Sequence, residues 1–163
     1  MTDWLPLAPT HLKRAYEGWC WTLAWSHAMG AVFRLEAPVG EARFLKITSA
    51  RNAIRLHAEA ERLRWARAYL PVPEVLDSGS ADGIDWLITR GMPGRDGTHP
   101  DLLADPARLV ATLGRGLRSF HEAAPVQACP FDFRLDVALD QVQRRAAEGP
   151  DVGIRQPAQR ADP

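Results

Sequence analysis

The segment Arg43–Thr48 (Arg-Phe-Leu-Lys-Ile-Thr) alternates with a period of two. As a strand it turns Phe44 and Lys46 to one face and Leu45 and Ile47 to the other. A lysine in the middle of such a strand must find an anion, reach water or lose its charge. Farther along, Leu56, Ala60, Leu63 and Ala66 recur at three- and four-residue spacing, the buried stripe of a helix running from about Ala53 to Tyr69. Leu70-Pro71-Val72-Pro73 stops that helix. Glu59 falls within or beside the stripe, whereas Glu61 lies roughly opposite and belongs in solvent. Its inward position makes Glu59 the natural counter-ion for Lys46, and the rest of the chain is read around that pair.

Before the lysine strand come a lead-in, Met1 to Gly18, and two further strands. The lead-in holds Pro6, Pro9 and a helix-capable segment, Thr10 to Glu17, expected to pack on the sheet edge. Trp19 to His27 is rich in aromatics and reads as a strand, followed by a turn at Ala28-Met29-Gly30. Ala31 to Ala37 sets Val32, Arg34 and Glu36 on one face and Phe33 and Leu35 on the other. Pro38 to Glu41 is a turn into the lysine strand, so the three strands form an antiparallel meander. After the helix, Glu74 to Asp77 and Ile84 to Thr89 read as strands joined by a turn over Ser78, Gly79, Ser80, Asp82 and Gly83.

Gly91-Met92-Pro93-Gly94 breaks the pattern and reads as a linker, dividing a first unit (1–90) from a second (95–149). Arg95 to Ala104 reads as a polar loop. Asp105-Pro106 starts a helix with an N-cap acceptor and proline at the first position. Leu109, Leu113, Leu117 and Phe120 form its stripe, which ends near His121-Glu122. Cys129-Pro130-Phe131-Asp132 is a turn, and Arg134 to Glu148 a second helix with Leu135, Ala138, Leu139 and Val142 inward. Residues 150–163 show no periodicity and read as a disordered tail. The fold class is therefore α+β.

Lys and Arg together equal Asp and Glu at 20 each, so no net field favours nucleic acid or an anionic membrane. No apolar run approaches the length of a membrane span. The two cysteines, Cys20 and Cys129, lie far apart without metal-ligand spacing, as expected of free thiols in a cytoplasmic protein.

The chain resembles the aminoglycoside O-phosphotransferases, most closely the 3′-phosphotransferase (kanamycin kinase) group. The resemblance rests on blocks that share the family's order and spacing from about residue 18 to about 149. They are Ser26–Leu35, Phe44-Leu-Lys-Ile47, Glu59–Trp65, Pro71–Leu76, Asp85–Gly94, Leu117–His121 and Cys129–Asp132. The resemblance implies a protein-kinase-like N-lobe, a five-stranded antiparallel sheet plus one helix, followed by the first helices of a truncated helical C-lobe. It implies ATP as the nucleotide and an aminoglycoside hydroxyl as acceptor. By the same resemblance, Lys46 contacts the α- and β-phosphates and Glu59 holds it in place. Ser26 and Gly30 belong to the turn over the phosphates. Phe44 is placed either against adenine or in plain core packing. The Arg90 carbonyl and the Met92 amide meet the adenine edge. His121 is expected to be a structural hydrogen-bonder or helix-end dipole partner, and Cys129 a packing residue.

Phosphoryl transfer also needs an aspartate to orient the acceptor, and an asparagine and a second aspartate for magnesium. The family carries these in a His-Gly-Asp segment and an Ile-Asp-x-Gly-like segment. The sequence contains neither, and its one asparagine is Asn52, at the start of the first long helix. The expectation is a member truncated before its catalytic segment, with no catalytic or metal-binding residue of its own and inactive alone. Another small-molecule kinase of the same superfamily, or a non-catalytic nucleotide-binding remnant, is the alternative. The Cys129–Asp132 block argues against the first of these.

Overall fold

Five strands build one antiparallel sheet: β1 (Cys20–His27), β2 (Gly30–Glu36), β3 (Ala42–Ser49), β4 (Val75–Ala81) and β5 (Ile84–Arg90), in the order β1-β2-β3-β5-β4. The structure is a computed structural model and describes residues 3–50, 56–132 and 134–147. The helices are α1 (Thr10–Ala15), α2 (Leu56–Ala66), α3 (Pro100–Leu103), α4 (Pro106–Ala123) and α5 (Leu135–Ala147), with a 3-10 turn at Val126–Ala128. The expected start of α2 at Ala53, the position of Asn52, the end of α5 at Glu148 and the tail fall outside the described residues.

Strand alternation divides the apolar side chains between the two faces of the sheet. On one face, Ala31, Phe33 and Leu35 of β2, Leu45 and Ile47 of β3, and Trp86 and Ile88 of β5 form the main core. The lead-in covers this face rather than lying at the sheet edge. Trp4, Ala8, Leu12 and Tyr16 are all buried in that core, and the Trp4 indole N–H donates to the His27 carbonyl at 3.1 Å. Of these, only Leu12 lies within α1, with Tyr16 at its C-cap; Trp4 and Ala8 come from the turns before it. Each fully buried large side chain among them contributes about 1.5–3 kcal/mol, which holds the segment across the sheet rather than beside it.

The opposite face carries α2. Leu56 and Ala60 pack with Leu87, joined by the partly buried Leu63 and Val75. Glu61 is exposed and lies 3.4 Å from His57. The antiparallel register puts Val32 opposite Lys46 and Arg34 opposite Phe44, so these four residues share the α2 side.

Two expected turns are shorter than their residues suggested. The β4–β5 turn is confined to Asp82-Gly83, both with positive φ, while Ser78, Gly79 and Ser80 belong to β4. Gly79 is in the strand because the Trp86 ring lies on it: a Cβ there would come within 2.5 Å of the ring. Likewise Gly30 is the first residue of β2, leaving a two-residue turn at Ala28-Met29. Within the expected polar loop at 95–104, Pro100–Leu103 forms a helical turn capped by the His99 side chain.

The start of α4 follows the sequence reading, with Asp105 Oδ1 accepting from the Arg108 N–H at 3.0 Å. Leu135, Leu139 and Val142 do not point inward: all three are exposed, Leu135 at 74%. The amphipathic pattern of α5 defines an apolar face, but among the described residues nothing covers it.

Candidate functional site

Between the α2 side of the sheet and the segment after β5 lies a cleft of about 650 Å³. Its floor is Val32, Arg34, Phe44, Lys46 and Thr89, its α2 wall is Glu59 and Leu63, and its rim is the backbone of residues 90–96. Lys46 donates to Glu59 Oε1 at 2.5 Å, the contact anticipated from the strand and helix patterns. Both side chains are more than one-third exposed, at 39% and 36%. In such surroundings an ion pair adds only about 0–1 kcal/mol to stability. Its effect is positional: Glu59 takes one of the three ammonium donors and holds the nitrogen at the cleft wall.

The rim is held by a second set of charges. Arg90 donates through Nε to Glu74 at 2.9 Å and through Nη1 to Glu41 at 3.0 Å. Its backbone N–H donates to the Glu74 carbonyl at 2.9 Å, and the Gly91 N–H donates to the Ala42 carbonyl at 2.7 Å. The Arg90 guanidinium, with the nearby charge of Arg67, holds the Glu74 carboxyl below the ordinary glutamate value. Farther along the rim, Thr98 donates its hydroxyl and its N–H to Asp96, which lowers that carboxyl too. Arg95 pairs with Asp101.

Of the residues singled out from the sequence, Lys46, Glu59, Phe44, Arg90 and Met92 line this one cleft. Gly30 sits on the same sheet face as Val32, at the end of the strand pair. Its role is geometric, because a Cβ there would lie 2.6 Å from the Ile47 carbonyl oxygen. Ser26 does not join the cleft. It is paired with Ala31, whose side chain is in the main core, and it lines a separate hollow with Trp4, Trp21 and Phe33. The Ser26 hydroxyl therefore lies across the sheet from Lys46. Val32, Arg34, Leu63 and Thr89 were not singled out. The meander register would have found the first two, as cross-strand partners of Lys46 and Phe44. Thr89, on β5, is the cross-strand partner of Phe44 on the other side of β3.

Chemically, the cleft offers a fixed cation, a flat aromatic side chain and a backbone rim. The carboxylates in it, Glu59 and Asp96, are engaged by Lys46 and Thr98. Among the described residues no group of three or more His, Cys, Asp or Glu side chains could hold a metal ion.

The sequence profile of the Phosphotransferase enzyme family matches residues 22–162. The chain belongs to this family. An aminoglycoside 3′-phosphotransferase of Streptomyces ribosidificus is 36% identical over 130 residues, covering 77% of this chain and 49% of that protein. A streptomycin 3″-kinase of Streptomyces griseus is 33% identical over 109 residues, 66% of this chain and 39% of its own length. The crystal structure of an aminoglycoside-3′-phosphotransferase of type VIII superposes with a TM-score of 0.74 at 31% identity, covering 91% of this chain and 55% of the other. A thermostable mutant of the aminoglycoside phosphotransferase APH(4)-Ia, solved as a ternary complex with AMP-PNP and hygromycin B, shares the fold at a TM-score of 0.55 and 18% identity. The sheet and helices are thus those of the kinase-like aminoglycoside phosphotransferase fold. The chain spans about half the length of the curated relatives it matches. Among the described residues no helix is long and apolar enough to cross a membrane.

Proposed function

We propose that this chain is the nucleotide-binding portion of an aminoglycoside phosphotransferase and that its ligand is ATP. The observation that carries the reading is the 2.5 Å contact between Lys46 and Glu59 at the wall of the cleft. In this reading the Lys46 ammonium holds the α- and β-phosphates, since a polyphosphate needs a fixed cation and Glu59 keeps this one aimed. Phe44 packs against adenine on the same face, and the Arg90 carbonyl and the Met92 amide meet its edge. The aminoglycoside belongs to the complete enzyme, as the names of the relatives indicate. Such a protein works in the cytoplasm, where ATP is available.

Among the described residues no group of three or more His, Cys, Asp or Glu side chains could hold magnesium. The transfer step has no side chain here either. The sequence has no His-Gly pair, and its single asparagine is Asn52. The chain by itself is therefore expected to bind nucleotide without phosphorylating kanamycin.

The test is thermal unfolding of the chain with and without ATP, since a ligand that binds only the folded state raises the melting temperature. Removing a charged hydrogen-bond donor costs about 1.5–3 kcal/mol, so Lys46→Ala should weaken ATP roughly 10- to 100-fold. No ATP shift in the unsubstituted protein would refute nucleotide binding. Kanamycin-dependent ATP turnover that Lys46→Ala abolishes would refute binding without transfer.

A further inference from the structure

The Lys46–Glu59 contact is too exposed to place α2 by itself, so something else must set the roll of that helix. The inner face of α2, Leu56, Ala60 and Leu63, lies on Leu87 and Val75, toward β5 and β4 rather than over Lys46. A helix seated on one apolar line is free to roll about it unless its flank is also held. Arg62 follows Glu59 by three residues, on the flank away from the apolar line, and Trp65 follows by six, on the outer side of the helix. There a residue from well beyond the linker makes contact. The Phe131 ring meets the Trp65 ring edge-on, with centroids 5.9 Å apart and planes at 89°. The Arg62 guanidinium lies over the Phe131 ring, 5.5 Å from its centroid. Trp65 is backed in turn by Tyr69, at 5.2 Å.

Phe131 is presented by a pinned segment. The Cys129 N–H donates to the Val126 carbonyl at 3.2 Å, and the Cys129 thiol donates to the Phe131 carbonyl at 3.6 Å. Pro130 fixes its own φ. On the far side Asp132 accepts from the Arg134 N–H at 3.0 Å and from the Arg134 guanidinium. These contacts hold the backbone on both sides of Phe131.

We propose that Phe131 is a positioning residue that locks the roll of α2 through Trp65 and Arg62 and so keeps Glu59 on Lys46. The segment after α4 thereby controls the phosphate half of the nucleotide site without touching ligand. This rests on the reading of the cleft as an ATP site.

The experiment is calorimetric titration of the whole chain with ATP and, separately, with adenosine, which has no phosphate for Lys46 to hold. An aromatic contact of this kind corresponds to about a three- to tenfold change in an equilibrium constant. Phe131→Ala is therefore expected to weaken ATP by that factor and leave adenosine unchanged, and Phe131→Tyr to restore ATP. The double variant Phe131→Ala/Glu59→Ala should bind ATP no more weakly than Glu59→Ala alone, because both act on one contact. A merely structural role would lower the melting temperature while leaving the ratio of ATP to adenosine affinity unchanged, and that result overturns the proposal. Phe131→Leu, which keeps apolar bulk but not the ring, serves if the alanine variant fails to fold. If the unsubstituted chain binds adenosine but gains nothing from the phosphates, or binds neither ligand, the ATP reading itself fails and the role of Phe131 falls with it.

Discussion

Lys46 and Gly30 show how differently single residues can be read. The lysine was legible because its chemistry conflicts with its pattern: an ammonium on an alternating strand needs an anion, and a glutamate sits on the inward side of the next helix. Gly30 looked like a source of backbone flexibility in a phosphate-covering turn. In the structure it starts a strand, where β3 passes so close that a Cβ would meet the Ile47 carbonyl oxygen at 2.6 Å. A clash with backbone cannot be relieved by turning a side chain, so the strands must shift. Gly30→Ala should destabilise the fold by about 1–3 kcal/mol, the usual range for overpacking, read as a lower urea midpoint at unchanged slope. Stability equal to the unsubstituted protein would show that the close approach is not needed. The Ser26 side chain was legible only as a member of its hairpin. Which face it takes depends on the irregularity in β1 between Leu23 and Trp25, which shifts the register with β2 and leaves no mark in composition.

At the scale of elements, β2, β3 and the long helices were legible because each carries its own period. The elements read incorrectly are those whose boundaries depend on a distant partner. β4 runs through Ser78-Gly79-Ser80, turn-like residues on their own, because β5 pairs with it and Trp86 covers Gly79. The segment after β5 also depends on distant partners: Arg90 is bonded to Glu74 and Glu41 on two other segments, and a Cβ on Gly91 would lie 2.7 Å from the Ala42 carbonyl oxygen. This gives a pH dependence with a definite sign. Arg90 holds the Glu74 carboxyl below its ordinary value, so over that interval the unfolded chain binds more protons than the folded one. The stabilisation is fully present above 4.5, the ordinary value, and is lost as the pH falls through the lowered one. Glu74→Gln should therefore reduce stability near neutrality and flatten its decline in mild acid. Denaturant melts of both proteins across that range test this, and parallel acid limbs would rule out Glu74 as a contributor.

For the whole molecule, the division into a covered sheet and uncovered helices matters most. Both faces of the sheet are shielded, one by the lead-in and α1, the other by α2. The stripes of α4 and α5 were legible as stripes, but a hydrophobic period states only which face is apolar and not what lies against it. Leu113 and Leu117 are 63% and 60% exposed, and Val110, Leu135, Leu139 and Val142 are exposed beside them in sequence. The solved relative at TM-score 0.74 is matched over 55% of its length, and among the described residues nothing covers these stripes. Apolar patches of this kind drive association. The chain alone should self-associate in a concentration-dependent way in sedimentation experiments. Replacing Leu113 and Leu117 together by lysine should make it monomeric without lowering its melting temperature, because neither side chain contributes to either sheet core. A monomer at every concentration would show that these faces are tolerated in water. A drop in melting temperature in the double variant would show instead that the stripe already supports the fold.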